Sequence, residues 1–277
     1  TSVVSDDLRQ VIEQHSGRPM DRFFDQWLYH ARHPDLKISY TWMPKQNLAK
    51  VNIKQTQKLD DDVLQFHFPT KLRFIADGML VDHPINVTKI EEDFYIPLQK
   101  QPAVVRFDPD YSVLANVSFD KPNGMLKKQL ENKNDMVGRL LACKLLATRK
   151  THESVELLTK ALKNDPFYGV RISAASALAK HETDEALKVL ADNWKTQTDA
   201  RVRLAVVEKL TNRYRDETPA LIKGVLENEK NPAILAGAIR GLGRFHGPET
   251  RKALIKFLDT DSFGNELAVA ALSAISQ

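Results

Sequence analysis

Four stretches in the second half of the chain share one pattern at a fixed interval: GRLLACKLLATR at 138–149, VRISAASALAKH at 170–181, VRLAVVEKLTNR at 202–213 and ILAGAIRGLGRF at 234–245. Small or aliphatic residues return every 32 positions in three columns. The columns are Ala142, Ala174, Val206, Ala238 and Ala270; Cys143, Ala175, Val207, Ile239 and Ala271; and Leu146, Leu178, Leu210 and Leu242. Such a period indicates helical units that stack to bury their apolar faces.

Each unit is predicted to hold two helices, with the columns on the second. The first helices are expected at 154–162, 185–194, 219–226 and 249–258. Charged residues accompany the period, since Arg139, Arg171 and Arg203 keep the 32-residue spacing and an aspartate precedes each of them. Those aspartates are Asp135, Asp165 and Asp199. We predict a ladder across the inter-helix turns, structural in role rather than ligand-binding. The pattern resembles HEAT repeats, in which a turn Asp and the following Arg link successive units, and it predicts an α-helical solenoid over 124–277.

The stretch before the repeats has the alternating pattern of strands. Leu36, Ile38, Tyr40 and Trp42 alternate with polar residues, which indicates one buried face. Further strands are predicted at 51–55, 64–68, 72–75, 79–81, 85–90, 94–98, 104–107 and 113–119, separated by turns at 60–62, 77–78, 82–84 and 108–110. Eight of the 13 prolines lie in this region, so short antiparallel strands are favoured. We expect a β-sandwich over 34–123, ended by the Pro-Asn-Gly break at 122–124.

Two short helices are expected before the strands. Asp6 or Asp7 can cap the first, which stops at Ser16 and Gly17. The second begins at Pro19 and ends near His33. It carries apolar residues at helical spacing that predict inter-domain packing, namely Phe23, Phe24, Trp27 and Leu28. The predicted fold class is therefore multi-domain, all-β plus all-α, with two short helices, a sandwich and a solenoid in that order.

Composition narrows the classes of partner. The formal net charge is +4, and acidic and basic residues are interleaved rather than gathered in basic runs, which argues against nucleic-acid binding. No stretch reaches the roughly 20 apolar residues that cross a bilayer, so no membrane partner is expected. Cys143 is the only cysteine, which excludes an intramolecular disulfide and suits a reducing compartment. We expect a soluble protein, with the cytoplasm favoured; oligomeric state stays open.

The sequence offers no residues for catalysis or for metal binding. A zinc-protease helix needs two His four apart with a Glu after the first. His152-Glu153 and His181-Glu182 begin this way, but Glu156 and Glu185 occupy the second His position, so solvated or capping roles are favoured. His30 and His33 are read as the fraying end of a helix. The acidic run at 60–62 lacks calcium-ligand spacing and is read as a solvated loop, and Cys143 as a small buried apolar residue.

The N-terminal part resembles a known family, the membrane alanyl aminopeptidase type of zinc metallopeptidase (gluzincin aminopeptidases), together with its inactive relatives. The residues that carry the resemblance are Asp7-Leu8, Ile12-Glu13, Ser16-Gly17, the FFDQWL run at 23–28, Pro34, Leu36, Ile38, Tyr40 and Gln55. In that family an FFxxWL-like helix closes the catalytic domain, and a Pro leads into a β-sandwich that helical repeats follow. Ala31-Arg32-His33-Pro34 departs from the Gly-x-Pro often found there.

The resemblance implies that this chain is the non-catalytic C-terminal part of an aminopeptidase. Residues 1–33 would then be the terminal helices of an upstream catalytic domain, whose zinc and catalytic residues precede Thr1; the chain alone needs no cofactor. Its partners would be that catalytic domain and, through the parent enzyme, peptide substrate, which the solenoid admits or restricts. A scaffold built on a zinc-free aminopeptidase fold, like the aminopeptidase-like subunit of the transcription factor TFIID, is the alternative. A free-standing adaptor is a third reading.

Overall fold

The computed structural model describes residues 2–212 and 217–276, in two compact units that divide between Lys128 and Gln129. The first unit begins with α1 (Ser5–Ser16) and α2 (Asp21–Phe24), and α2 continues into a π-helical turn, Asp25–Tyr29. Its strands are β1 (Asp35–Met43), β2 (Leu48–Gln55), β3 (Phe68–Ala76), β4 (Met79–Val87), β5 (Glu91–Pro97), β6 (Val104–Phe107) and β7 (Asn116–Phe119).

The strands form two sheets around one core. One sheet has the order β5-β2-β1-β7 and the other β4-β3-β6. Along β2, Ala49, Val51 and Ile53 are fully buried while the residues between them face outward, as the two-residue period of a strand requires. They share a cluster with Leu72 and Phe74 of β3 in the other sheet. All pairs are antiparallel except β1 with β7, which run parallel.

The strand predicted at 64–68 is absent, because side-chain amides take the place of a partner strand. Gln55 accepts the backbone N–H of Phe66 at 2.9 Å and donates to its carbonyl at 2.8 Å. Gln26 makes the same pair of bonds with the backbone of His67, at 2.9 and 2.8 Å. Both amides are buried. Two peptide units are thus satisfied as a ladder would satisfy them, and β3 begins only at Phe68.

The turn predicted at 82–84 is also wrong, because these residues continue β4. This strand lies at the edge of its sheet, where a proline such as Pro84 removes no ladder hydrogen bond that the sheet needs. Asp82 lies opposite Arg73 of β3 and accepts hydrogen bonds from its guanidinium at 2.6 and 2.7 Å. The predicted strands at 79–81 and 85–90 are therefore one long strand.

The N-terminal helices differ in detail from expectation. The N-cap position of α1 is Val4, and Asp7 reaches back to accept its backbone N–H at 3.0 Å, so the helix begins before the predicted cap. The second helix ends at Tyr29 rather than near His33, because the backbone N–H of His30 bonds to the carbonyl of Asp25 at 3.1 Å and closes a wider, π-type turn.

The second unit is a stack of helices. Its elements are α3 (Asn123–Glu131, which contains the unit boundary), α4 (Met136–Leu146), α5 (His152–Asn164), α6 (Tyr168–His181), α7 (Asp184–Asn193), α8 (Ala200–Thr211), α9 (Thr218–Asn228), α10 (Pro232–Leu242), α11 (Pro248–Ile255) and α12 (Glu266–Ile275). The second helices α4, α6, α8, α10 and α12 pack on one another in order.

The three periodic columns lie in the buried seam of this stack. Ala142, Ala174, Val206, Ala238 and Ala270 are each at most 1% exposed. The helices approach closely at Gly243, where an added Cβ would lie 2.7 Å from the backbone of Ala274. The predicted fold class is confirmed: an antiparallel-rich β region is followed by helical repeats. The division of domains at 33 and 123 stays a prediction.

Candidate functional site

The charged residues of the repeats form two columns rather than one. Asp135 and Asp199 cap α4 and α8, accepting the backbone N–H groups of Gly138 at 2.8 Å and Arg201 at 2.9 Å. Asn231 does the same at α10, 32 residues after Asp199. The corresponding position before α6 is Phe167, which offers no capping oxygen. These positions form a capping column, not the acidic side of a ladder.

Asp165 belongs to the second column and pairs with an arginine of the preceding repeat. Its carboxylate accepts from Arg139 Nε at 2.8 Å and Nη2 at 3.4 Å, and both side chains are almost completely buried. It also accepts the backbone N–H of Phe167 at 2.9 Å. The predicted set of aspartates therefore mixed two columns, and their uneven spacing of 30 and 34 residues was the available signal.

The partner column runs through positions 165, 197 and 229, at the period of the repeat. Glu229 accepts from Arg203 Nε at 2.8 Å and Nη2 at 3.5 Å, repeating the Asp165 contact one unit further on. Sequence reasoning missed Glu229 because it sought aspartate before each arginine. Glu229 could have been found by looking for a carboxylate 26 residues after each arginine.

Each arginine is also fixed to its own inter-helix loop. Nη1 donates to the carbonyl six residues earlier: Lys133 for Arg139, Asp165 for Arg171 and Gln197 for Arg203, at 2.7 to 2.9 Å. In Arg139 and Arg203 the guanidinium therefore links the loop of its own repeat to a side chain of the next loop. This arrangement is an inter-repeat connector, built from charge-assisted hydrogen bonds.

The middle connector lacks its carboxylate. Position 197 is Gln197, whose amide donates to the carbonyl of Leu162 at 3.1 Å. Within the part of the chain that the structure describes, Arg171 Nε is buried without a hydrogen-bond partner. Asp199 is engaged elsewhere, by Arg201 Nη2 at 2.7 Å. Hydrogen bonding from Arg201 lowers the pKa of Asp199 to about 2, with a smaller contribution from the charge of Arg171.

The residues predicted to pack between domains divide into two pairs. Phe24 is buried, and Trp27 packs on Phe66 of the β region with ring centroids 5.3 Å apart. Phe23 and Leu28 instead face solvent, at 51% and 47% exposed. The inward pair and the Gln26 amide attach the turn at 25–29 to the first unit. Phe23, Leu28 and Tyr29 are thus the large apolar side chains of this segment that remain close to half exposed.

Two histidines and the cysteine take up structural positions. A solvated or capping role at a helix start was predicted for His181; it is instead buried at the end of α6, with Nε2 2.9 Å from the carbonyl of Leu146, the last residue of α4. His152 is exposed, with Nδ1 2.7 Å from Glu185. Burial raises the pKa of the Cys143 thiol to about 12, so it stays protonated. Over residues 2–212 and 217–276, no three His, Cys, Asp or Glu side chains converge as a metal site would require.

Comparison with known proteins supports the fold. A family model for HEAT repeats matches residues 125–211. A crystal structure of Legionella pneumophila aminopeptidase A in complex with aspartic acid is similar over 98% of this chain, with a TM-score of 0.52 and 10% sequence identity. The match spans 42% of that protein's chain. No curated protein sequence matches.

At this identity the likeness to the Legionella enzyme concerns the fold alone. No helix in the described residues is both long enough and apolar enough to cross a membrane.

Proposed function

We propose that this chain is the non-catalytic C-terminal part of a zinc-dependent aminopeptidase, where it supports the catalytic domain and shapes the access of peptides to it. The observation that carries the proposal is the match over 98% of this chain to only 42% of an aminopeptidase, with sheets and helical repeats in one alignment. The zinc and the catalytic residues belong, in this proposal, to the part of the parent protein that precedes residue 1.

The apolar surface of Phe23, Leu28 and Tyr29 is the proposed contact with the catalytic domain. Three large apolar side chains, each close to half exposed, lie within seven residues of one another in α2 and the turn that follows it. Covering the exposed half of each side chain contributes about 1 kcal/mol, roughly half of the 1.5 to 3 kcal/mol for burying a fully exposed one. The helical repeats, which offer a long surface built from successive units, are the part proposed to restrict peptide access.

The first test uses the chain alone with aminoacyl anilide substrates and added zinc. We expect no turnover, because in this proposal the residues that bind zinc and activate a water molecule belong to the catalytic domain. Chelator-sensitive hydrolysis by the pure chain would refute the proposal. Sequencing the upstream part of the parent protein separates the enzyme from the scaffold alternative: an intact zinc-binding helix supports the former, and its loss supports the latter.

The second test addresses the proposed contact in the full-length parent. Replacing Phe23 and Leu28 together by Ser is expected to lower the melting temperature of the parent clearly more than that of the isolated chain, since about half of each side chain is already exposed there. Phe263→Ser is the matched control, because this phenyl ring is 96% exposed in the other unit. Equal effects of the two replacements on the parent would contradict the assignment of the surface.

A further inference from the structure

The three arginine connectors differ in charge balance. Arg139 faces Asp165, and Arg203 faces Glu229, so each of these pairs is neutral. In the middle connector Asp199 pairs with Arg201 at 2.7 Å, and position 197, which corresponds to Asp165 and Glu229, is the uncharged Gln197. This connector therefore carries one positive charge more than its neighbours.

The edge of Arg171 that its counterparts use for a carboxylate meets no carboxylate in the described residues, and its Nε is buried. Arg139 and Arg203 direct Nε and Nη2 at an acid, whereas among the described residues Arg171 makes one hydrogen bond, from Nη1 to the carbonyl of Asp165. In the described residues its Nε has no acceptor. Gln197 is buried and its amide is held by Leu162, so it does not replace the missing acid.

The surroundings suit an incoming polypeptide. Arg171 is partly exposed, and the Arg201 side chain is 61% exposed and lies over the Tyr168 ring, 3.4 Å from its centroid. Phe167 packs against Tyr168 with a centroid separation of 4.7 Å. Two guanidinium groups beside an aromatic pair offer charge to a carboxylate and apolar surface to the chain that carries it.

We propose that Arg171 and Arg201, flanked by Tyr168, bind a carboxylate presented by a peptide segment, which completes the middle connector. The carboxylate is either the α-carboxylate of a peptide or an Asp or Glu side chain. This site does not depend on the parent being an aminopeptidase. It rests on the missing acid at position 197, the unsatisfied Nε and the excess positive charge.

The test measures binding of three fluorescein-labelled peptides to the full chain by polarisation at low salt. The first peptide has a free C-terminus and no acidic side chain, the second is its C-terminal amide, and the third is the amide with two glutamates added. We expect the first or the third to bind and the second to bind at least about tenfold more weakly, the value of one charge-assisted hydrogen bond. The stronger of the two identifies the source of the carboxylate.

Two variants place the binding at Arg171. Arg171→Gln removes the guanidinium, and Gln197→Glu supplies a carboxylate from the chain itself; each is expected to weaken binding about tenfold. Lys252→Gln on α11 is the matched control, because it also lowers the net charge by one, and a change below about twofold is expected for it. Circular dichroism at a helical wavelength checks that each variant is folded. If Arg171→Gln does not fold, Gln197→Glu still tests the site.

The proposal fails if neither carboxylate peptide binds more tightly than the amide. It also fails if Lys252→Gln weakens binding as much as Gln197→Glu, because the attraction would then be general rather than local.

Discussion

Replacing Asp165 by Asn should destabilise the helical repeats more than any equivalent change at Glu229. Asp165 accepts three hydrogen bonds, two from Arg139 and one from the backbone of Phe167. The Arg139 side chain is only 3% exposed, so water cannot replace the lost carboxylate. An amide of the same shape keeps the volume and removes the charge, which isolates the electrostatic contribution.

The magnitude follows from burial. Removing one partner of a buried ion pair costs about 3 to 5 kcal/mol. Arg139 Nη1 keeps its two carbonyl acceptors, Asn132 and Lys133, so we expect a loss near the lower limit, about 3 kcal/mol. Glu229→Gln is the matched control: the Arg203 side chain is 20% exposed, and solvent limits the loss to about 1 kcal/mol.

The assay is urea unfolding followed by circular dichroism at a helical wavelength, because the second unit holds most of the helix. The shift in midpoint at constant slope gives the change in free energy of unfolding. A third variant, Arg139→Met with Asp165→Leu, removes both charges and should cost clearly less than Asp165→Asn. If Asp165→Asn is no more destabilising than Glu229→Gln, the buried connector is not what holds these repeats together.

Three further predictions follow from the same contacts. Leu178→Asp puts an unpaired carboxylate into a fully buried repeat position and should cost about 3 to 5 kcal/mol; an unchanged melting curve would contradict the repeat register. Burial acts to raise the pKa of Glu229, but hydrogen bonds from Arg203 and two backbone N–H groups outweigh it and lower the pKa below its ordinary value of 4.5. Its contribution is present above that value and is lost as pH falls through the folded pKa, so wild type and Glu229→Gln should differ in urea midpoint more at pH 6 than at pH 3, and a constant difference would count against it. Cys143 should react with a disulfide reagent at pH 8 only after urea unfolding, since its thiol is buried with a pKa of about 12; rapid labelling of the native chain would overturn this.

The helical repeats were predictable because their signal is local and is reiterated. A buried helix seam accepts only small or aliphatic residues, so columns such as Ala142, Ala174 and Val206 keep their character at every turn of the period. The acceptors of the connectors were harder to find. Their column reads Asp165, Gln197 and Glu229, three different residue types, and only the distance to the arginine relates them.

The sheet region was predictable where a strand pairs with a strand. Alternation locates most of β2, because one face of that strand is buried. β6 is buried on both faces and reads instead as a short apolar run between turns. The peptide groups at 66 and 67 could not be assigned in this way. Gln26, 41 residues before His67, supplies their hydrogen bonds together with Gln55, and no local pattern reveals which distant amide will do so.

The contacts of the connector arginines span the same number of residues as one repeat. Each of the three arginines bonds to the carbonyl six residues before it, and Arg139 and Arg203 also bond to the side chain 26 residues after them. These two separations add up to the 32-residue period. One loop residue can therefore serve two arginines: Asp165 gives its carboxylate to Arg139 and its carbonyl to Arg171. Gln197 gives only its carbonyl, to Arg203, so the chain of charged contacts is interrupted once. A change that moves the Asp165 loop acts on two connectors, whereas Glu229 serves one, because position 235 is Leu235. The larger effect expected at Asp165 thus comes from its place in the ladder as well as from its burial.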